Sequence, residues 1–329
     1  MRVLLTGSSG WLGRFLAPRL RAAGHEVTGL DVAPGADTDA VGSVADRALV
    51  DRLFAERGIE AVIHAGALHK PDIVRYPPEA FAAVNVAGTR NLLEAAAMAG
   101  SDRFLFTSTT SLMISDIVHA GKAGGAERAF WIDEDFGPLA PRNIYGRTKL
   151  EAERLCRRAY DDHGLAILVL RTGRFFPEED DTHRDLGGEN RKANELLGRR
   201  LTVEDAADAH LAALEHAPAL GFDAFILAAP TPFVREEGEE LIRDAPAVIA
   251  RHFPDAAALY AQAGWTLPAS IERIYDSSRA EARLGFRCRT DFTAVLEALR
   301  HGKQLPFAHD PSYVSPKESG VRSWTRTPS

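Results

Sequence analysis

Tyr145 and Lys149 stand four apart in the run Tyr145-Gly-Arg-Thr-Lys149. On a helix that spacing puts both side chains on one face. A free phenol, with a pKa of ~10, is a poor base at neutral pH. A nearby ammonium favours the phenolate, so this pair could move a proton to or from a substrate hydroxyl. Upstream, Thr107-Ser-Thr-Thr-Ser111 ends a strand-like run, Phe104-Leu-Phe106. A hydroxyl from it, with Thr109 and Thr110 as candidates, could bond the oxygen that Tyr145 serves. Taken alone, such a run reads equally well as turn-forming hydroxyls.

A second constellation is Thr6-Gly-Ser-Ser-Gly-Trp-Leu-Gly13. Gly7, Gly10 and Gly13 fall where an apolar strand, Val3 to Leu5, gives way to an amphipathic helix. Glycine lets the backbone turn tightly and approach a pyrophosphate, and the helix N-terminus offers free amides and a favourable dipole. Asp31 ends the second strand, 18 residues after Gly13. A carboxylate there accepts hydrogen bonds from ribose hydroxyls and repels a 2′-phosphate. Val32 and Ala33 follow, with no adjacent Arg or Lys, so NAD is expected rather than NADP. A proton mover beside a dinucleotide loop implies hydride transfer to or from a nicotinamide.

The elements that must position these groups alternate. Strands are expected at Val3–Leu5, Val27–Leu30, Ala61–His64, Phe104–Thr107, Ala166–Arg171 and Phe222–Ala228. Helices are expected at Leu12–Ala23, Leu49–Arg57, Pro78–Met98, Tyr145–His163 and Leu201–His216, then near 239–252 and 291–301. Strict alternation implies right-handed crossovers and an α/β fold with a parallel sheet. The domains follow: residues 1–171 as the dinucleotide-binding unit, 172–302 as a small C-terminal substrate-binding lobe with late sheet elements interleaved, and 303–329 as a flexible tail. Residues 115–142 form a long Gly- and acid-containing connection of the length often used for lids.

Bulk properties exclude several classes. The chain has 329 residues, 45% of them hydrophobic, and a formal net charge of -7. No basic block suggests nucleic acid, and no apolar run reaches the ~18 residues of a membrane span. The chain opens directly on a strand-like run, so no signal peptide is expected. Two cysteines, Cys156 and Cys288, lack CxxC spacing, which fits a reducing, cytoplasmic setting. Eleven histidines are scattered without HExxH or a Cys/His cluster, so no metal is expected.

These motifs, in this order, resemble the extended short-chain dehydrogenase/reductases, the NAD-dependent epimerase/dehydratase branch. The likeness extends through Val62-Ile-His-Ala-Gly-Ala67, Asn85-Val-Ala-Gly-Thr89, Leu201-Thr-Val-Glu-Asp205 and Asp276-Ser-Ser-Arg-Ala280. It implies a doubly wound, Rossmann-type sheet, Tyr145 as acid/base, Lys149 as its tuner, Thr109 as substrate hydrogen-bonder, and often a homodimer. Cofactor contacts would come from Gly7, Ser9, Gly10, Trp11, Leu12, Gly13, Asp31, Ser43, Val44, Ala65, Gly66, Ala67, Asn85, Thr107, Tyr145, Lys149 and Arg171. His64 joins them by position, although packing is the usual fate of such a strand-end histidine.

The departures narrow the function. Gly42-Ser43-Val44 stands where relatives carry Gly-Asp, so a carboxylate contact to adenine is lost. Thr110 and Ser111 replace the Asp-Glu that dehydration requires, so water elimination is not expected. Arg174 replaces an asparagine after the Arg171 strand. Only 27 residues, Glu178 to Glu204, separate Pro177 from Asp205, a short grip for a nucleoside diphosphate. Arginine binds carboxylate or phosphate as a two-pronged donor, so Arg174 points to a smaller anionic sugar, unless it pairs with the acidic run Glu178-Glu-Asp-Asp181. The residues leave dehydrogenase and epimerase outcomes open, a 4-epimerase retaining its NAD among them, and also a non-catalytic dinucleotide-binding regulator. Trp265 could wall the pocket or lie in a core.

Overall fold

The computed structural model describes residues 1–178 and 186–319. Seven strands make one parallel sheet: β1 (Arg2–Thr6), β2 (Glu26–Asp31), β3 (Ala40–Val41), β4 (Ala61–His64), β5 (Arg103–Thr109), β7 (Ala166–Thr172) and β8 (Phe222–Leu227). Their order is β3-β2-β1-β4-β5-β7-β8, the doubly wound arrangement expected. Two three-residue strands, β6 (Phe130–Ile132) and β9 (Arg273–Tyr275), pair in parallel outside it. Neither is legible in the sequence, because three residues carry no usable alternation.

The sheet is buried on both faces, as parallel sheets with helical crossovers must be. Alternate residues serve opposite cores. Val3, Leu5, Ile63, Leu105 and Leu168 pack against the Trp11–Ala22 and Val203–Leu220 helices. Leu4, Val62, Phe104, Ile167 and Val169 pack on the other side, with Leu53, Leu92 and Cys156. A separate core, containing Leu196, Leu241, Val248, Tyr260, Ile274 and Phe292, builds the second lobe. Trp265 packs on Tyr260 there, so it belongs to that core and does not wall the pocket.

The expected Pro78–Met98 helix runs unbroken from Pro78 to Ala99, with a π-helical stretch at Ala82–Ala87. The 115–142 connection is built, not bare. It holds a short helix, Asp116–Ala120, and β6, which ties it to the second lobe. Residues 303–317, expected as free tail, pack on the body. Phe307 is buried in the lobe core, and Lys317 ion-pairs with Asp72. The rest of the expected tail, 320–329, lies outside the described residues. Among the described residues no helix is long and apolar enough to cross a membrane.

Candidate active site

The C-terminal ends of β1, β4, β5 and β7 share one sheet edge, where open α/β sheets bind ligands. A cavity of about 990 Å³ opens there. One end is lined by Gly7, Gly10, Trp11, Leu12, Asp31, Ser43, Val44, Ala65, Gly66 and Ala67, and the middle by Thr107, Thr109, Thr110 and Tyr145. The far end holds Arg174, Arg199, Arg200 and Arg273.

The glycine loop fits a dinucleotide on its own geometry. Gly7 has φ +76°, and a Cβ on it would lie 2.8 Å from the Gly66 nitrogen. A Cβ on Gly13 would lie 2.2 Å from the Gly7 carbonyl oxygen. Gly7 therefore holds a left-handed turn against the β4 loop, and Gly13 lets the helix pack onto the turn. The Trp11–Ala22 helix has no side-chain cap and no acidic residue in its first turn. Its first amides are left for a ligand, and the dipole favours an anion. Asp31 accepts bonds from the Ser9 amide (3.0 Å) and the Ala33 amide (3.1 Å) and still faces the cavity. Burial raises its pKa, opposed by those backbone bonds. Ser9 and Gly13 thus shape the loop without lining the cavity.

Tyr145 is buried at the start of the Ile144–His163 helix, whose N-cap Asn143 accepts from the Gly146 amide. The Thr109 hydroxyl is a polar neighbour of its phenol. Burial pushes the phenol up to about 12; the neighbouring Thr109 hydroxyl lowers it and the nearby Asp72 carboxylate raises it. The Thr109 hydroxyl also accepts from the Ser111 amide at 3.1 Å. Thr110 lines the cavity, but its hydroxyl is turned to the Thr172 carbonyl at 3.3 Å.

Several expected contacts lie behind the cavity wall. Lys149 donates to the Thr107 carbonyl at 2.6 Å and sits 4.0 Å from the Phe106 ring centroid. Burial lowers its pKa to about 7. It therefore braces the strand end that carries Thr109. Arg171, expected as a cofactor contact, is not among the residues lining the cavity. It forms a buried ion pair with Glu153 at 2.8 Å, and Glu153 also accepts from Ser108 at 2.6 Å. His64 is buried between Thr6 (2.7 Å) and Thr89 (3.0 Å). Asn85 is buried, clamping Leu68 through both backbone atoms and bonding Thr148. Asn85 thereby shapes the loop after β4, and neither residue is among those lining the cavity. Thr107 lines the cavity, but its hydroxyl bonds His210 at 2.8 Å.

Arg174 does reach the cavity, where Glu195 pairs with it at 3.1 Å. Residues 179–181 of the expected acidic run lie outside the described residues. Glu195 also holds Arg199 and Arg200, each at 3.0 Å. Burial works against the Glu195 charge, but Arg199, Arg174 and Arg200 outweigh it and hold the carboxyl down to about 2. Three guanidinium groups share one carboxylate, so this end of the cavity is cationic.

Sequence reasoning missed the loop from Leu68 to Val74. His69 lines the cavity and packs edge-on against Tyr145 and Phe176, with centroids 5.8 and 5.7 Å away. Its backbone amide donates to buried Asp72 at 2.6 Å. The signal available was Pro71 with Asp72 just after it, a helix-start pattern. It also missed Tyr313 to Lys317, which line the cavity from the C-terminal end of the chain.

Comparison with known proteins agrees with this geometry. The chain is 31% identical over 179 residues to UDP-glucose 4-epimerase of Azospirillum brasilense, covering 52% of this chain and 48% of that one. It is 30% identical over 185 residues to uronate dehydrogenase of Pseudomonas syringae pv. tomato, covering 54% and 60%. The matched stretch thus spans about half the length of these curated relatives. Among solved structures, a short-chain dehydrogenase/reductase superfamily protein from Agrobacterium tumefaciens with bound NAD aligns over 92% of this chain and 98% of its own. Its TM-score is 0.63 at 24% identity. The UDP-glucose 4-epimerase of Thermus thermophilus in complex with NAD aligns over 91% and 99%, with TM-score 0.60 at 21% identity. The model of the NAD dependent epimerase/dehydratase family matches residues 3–197, more than half of the chain. This chain belongs to the NAD dependent epimerase/dehydratase family.

Proposed function

We propose that the chain is an NAD-dependent oxidoreductase acting on a hydroxyl carbon of an anionic sugar, with a sugar acid as the favoured class. The observation that carries this reading is one continuous cavity. It joins the uncapped glycine-loop helix, the Thr109–Tyr145 pair and the cationic Arg174 end. Gly7, Gly10, Trp11 and Leu12 would hold the pyrophosphate, Asp31 the adenosine ribose, and Ala65 to Ala67 the middle of the cofactor. NAD, when bound, supplies the hydride acceptor.

The protein's own groups do the rest. Thr109 and Tyr145 both offer hydrogen bonds to one substrate oxygen, which fixes its position. Tyr145 takes or returns the proton on that oxygen. Lys149 and the Thr107–His210 bond hold the end of β5 rigid beneath it. His69 and Phe176 narrow the cavity around the tyrosine and exclude water. Arg174 would grip a carboxylate or phosphate on the substrate. Residues 1–171 are read as the cofactor unit and 172–302 as the substrate lobe.

The likeness to uronate dehydrogenase supports the sugar-acid reading. The likeness to UDP-glucose 4-epimerases supports a second one, epimerisation of a nucleotide sugar with NAD retained. The family resemblance supports a homodimer, and two buried free cysteines fit a reducing, cytoplasmic setting. The test is NAD reduction by the purified protein with neutral aldoses, hexuronates, sugar phosphates and nucleotide sugars. Accumulation of NADH on an acid sugar is the expected result. Interconversion of a nucleotide sugar with no net NADH would replace it with the second reading.

A further inference from the structure

The C-terminal segment crosses the cavity from an anchored root. Phe307 is buried in the lobe core, and the Asp310 amide donates to the Pro177 carbonyl at 2.8 Å. Lys192 reinforces this root through the His309 ring at 2.9 Å. From Asp310 to Lys317 seven residues can span up to ~24 Å, enough to cross a dinucleotide cleft. Tyr313 then packs edge-on against Trp11, centroids 5.2 Å apart, and the Arg14 guanidinium lies 5.5 Å from both rings. Trp11 is the first residue of the helix that follows the glycine loop. At the far end Lys317 ion-pairs with buried Asp72 and donates to the Ala67 carbonyl at 3.4 Å. Residues 313 to 317 line the same cavity as Gly10, Asp31 and Ala67.

We propose that residues 311–317 are a strap that completes the dinucleotide site, latched by Tyr313 on Trp11 and by Lys317 on Asp72. This rests on reading the cleft as the NAD site. With the strap in place, Tyr313 covers the helix N-terminus where the pyrophosphate is placed. Lys317 brings a cation to the wall that also carries Asp31. Cofactor can then leave only after the latch opens, so the strap sets the retention that separates an enzyme exchanging NAD from one keeping it.

The test uses the full chain loaded with NADH and chased with excess NAD, following NADH fluorescence. Lys317→Ala and Tyr313→Ala should each release NADH about tenfold faster, a ~1.4 kcal/mol change in the latch, while Lys317→Arg stays near wild type. Hydrogen exchange at 311–317 should slow when NAD is added. Unchanged release in both alanine variants would overturn the proposal. So would tighter NADH binding in Lys317→Ala, which would make the strap a competitor of the cofactor. If the wild type bound no NADH, the reading of the cleft itself would fall, a result distinct from normal binding with unaltered release.

Discussion

At the scale of residues, chemistry rests on which side chains reach the cavity and which are drawn behind it. Tyr145 and Thr109 reach it side by side. Arg174 reaches it beside a carboxylate already shared by three guanidinium groups. Replacing Arg174 with Ala should raise KM for an acid sugar about tenfold or more, the weight of a charge-assisted bond, with NADH affinity unchanged. Steady-state kinetics on the acid and on its neutral aldose would check this; equal effects on both would assign Arg174 to structure. Tyr145, Thr109, Asp31 and the three glycines were legible because their spacing is set by turns and helix faces. Lys149, Arg171, His64 and Asn85 are buried and not among the residues that line the cavity. Position near a strand end does not tell which way a side chain turns. For Arg171 the answer lay in parity: Ile167 and Val169, four and two residues earlier, face the same core.

At the scale of elements, β5 and β7 are the frame of the site. Their register sets Ser108 beside Arg171 and Thr109 beside Thr172. The first pair faces the Ile144–His163 helix through Glu153, and the next residues along sit at the cavity. Burying an ion pair costs desolvation, and removing one partner leaves the other charged and unpaired. Arg171→Met should therefore lower stability by roughly 3–5 kcal/mol in urea unfolding, yet leave NADH affinity intact in the folded fraction. Loss of NADH affinity without loss of stability would return Arg171 to the cofactor site. The long strands and helices were readable from periodicity. The pieces that were missed are short: β6, β9, and the helices Ala256–Gln262 and Ser278–Leu284, each under three turns and too brief to display a pattern.

At the scale of the molecule, a two-faced sheet core and a separate lobe core meet around one cavity, and the C-terminal segment joins them. Its packing was invisible in the sequence because it depends on single anchors, Phe307, Tyr313 and Lys317, rather than on a repeating apolar stripe. The whole fold also holds buried neutral histidines. Burial lowers His210 to about 4 and takes His64 and His69 well below the ordinary value. Each folded pKa lies below the unfolded value of ~6.5, so the unfolded chain binds more protons as pH falls. Their contribution to stability is full above about pH 6.5 and is lost as pH falls through the folded values. Urea midpoints should drop between pH 7 and pH 5. His210→Gln should flatten that drop, and an unaltered slope would show that His210 is not part of it.

The central claim is that Tyr145 moves the proton in a cavity built for NAD. Its most direct measurement is single-turnover NAD reduction by a hexuronate, comparing wild type with Tyr145→Phe at matched NADH affinity. The account predicts a rate lower by ~10²–10⁴ in the phenylalanine variant with cofactor binding preserved. A variant that reduces NAD as fast as wild type would contradict it.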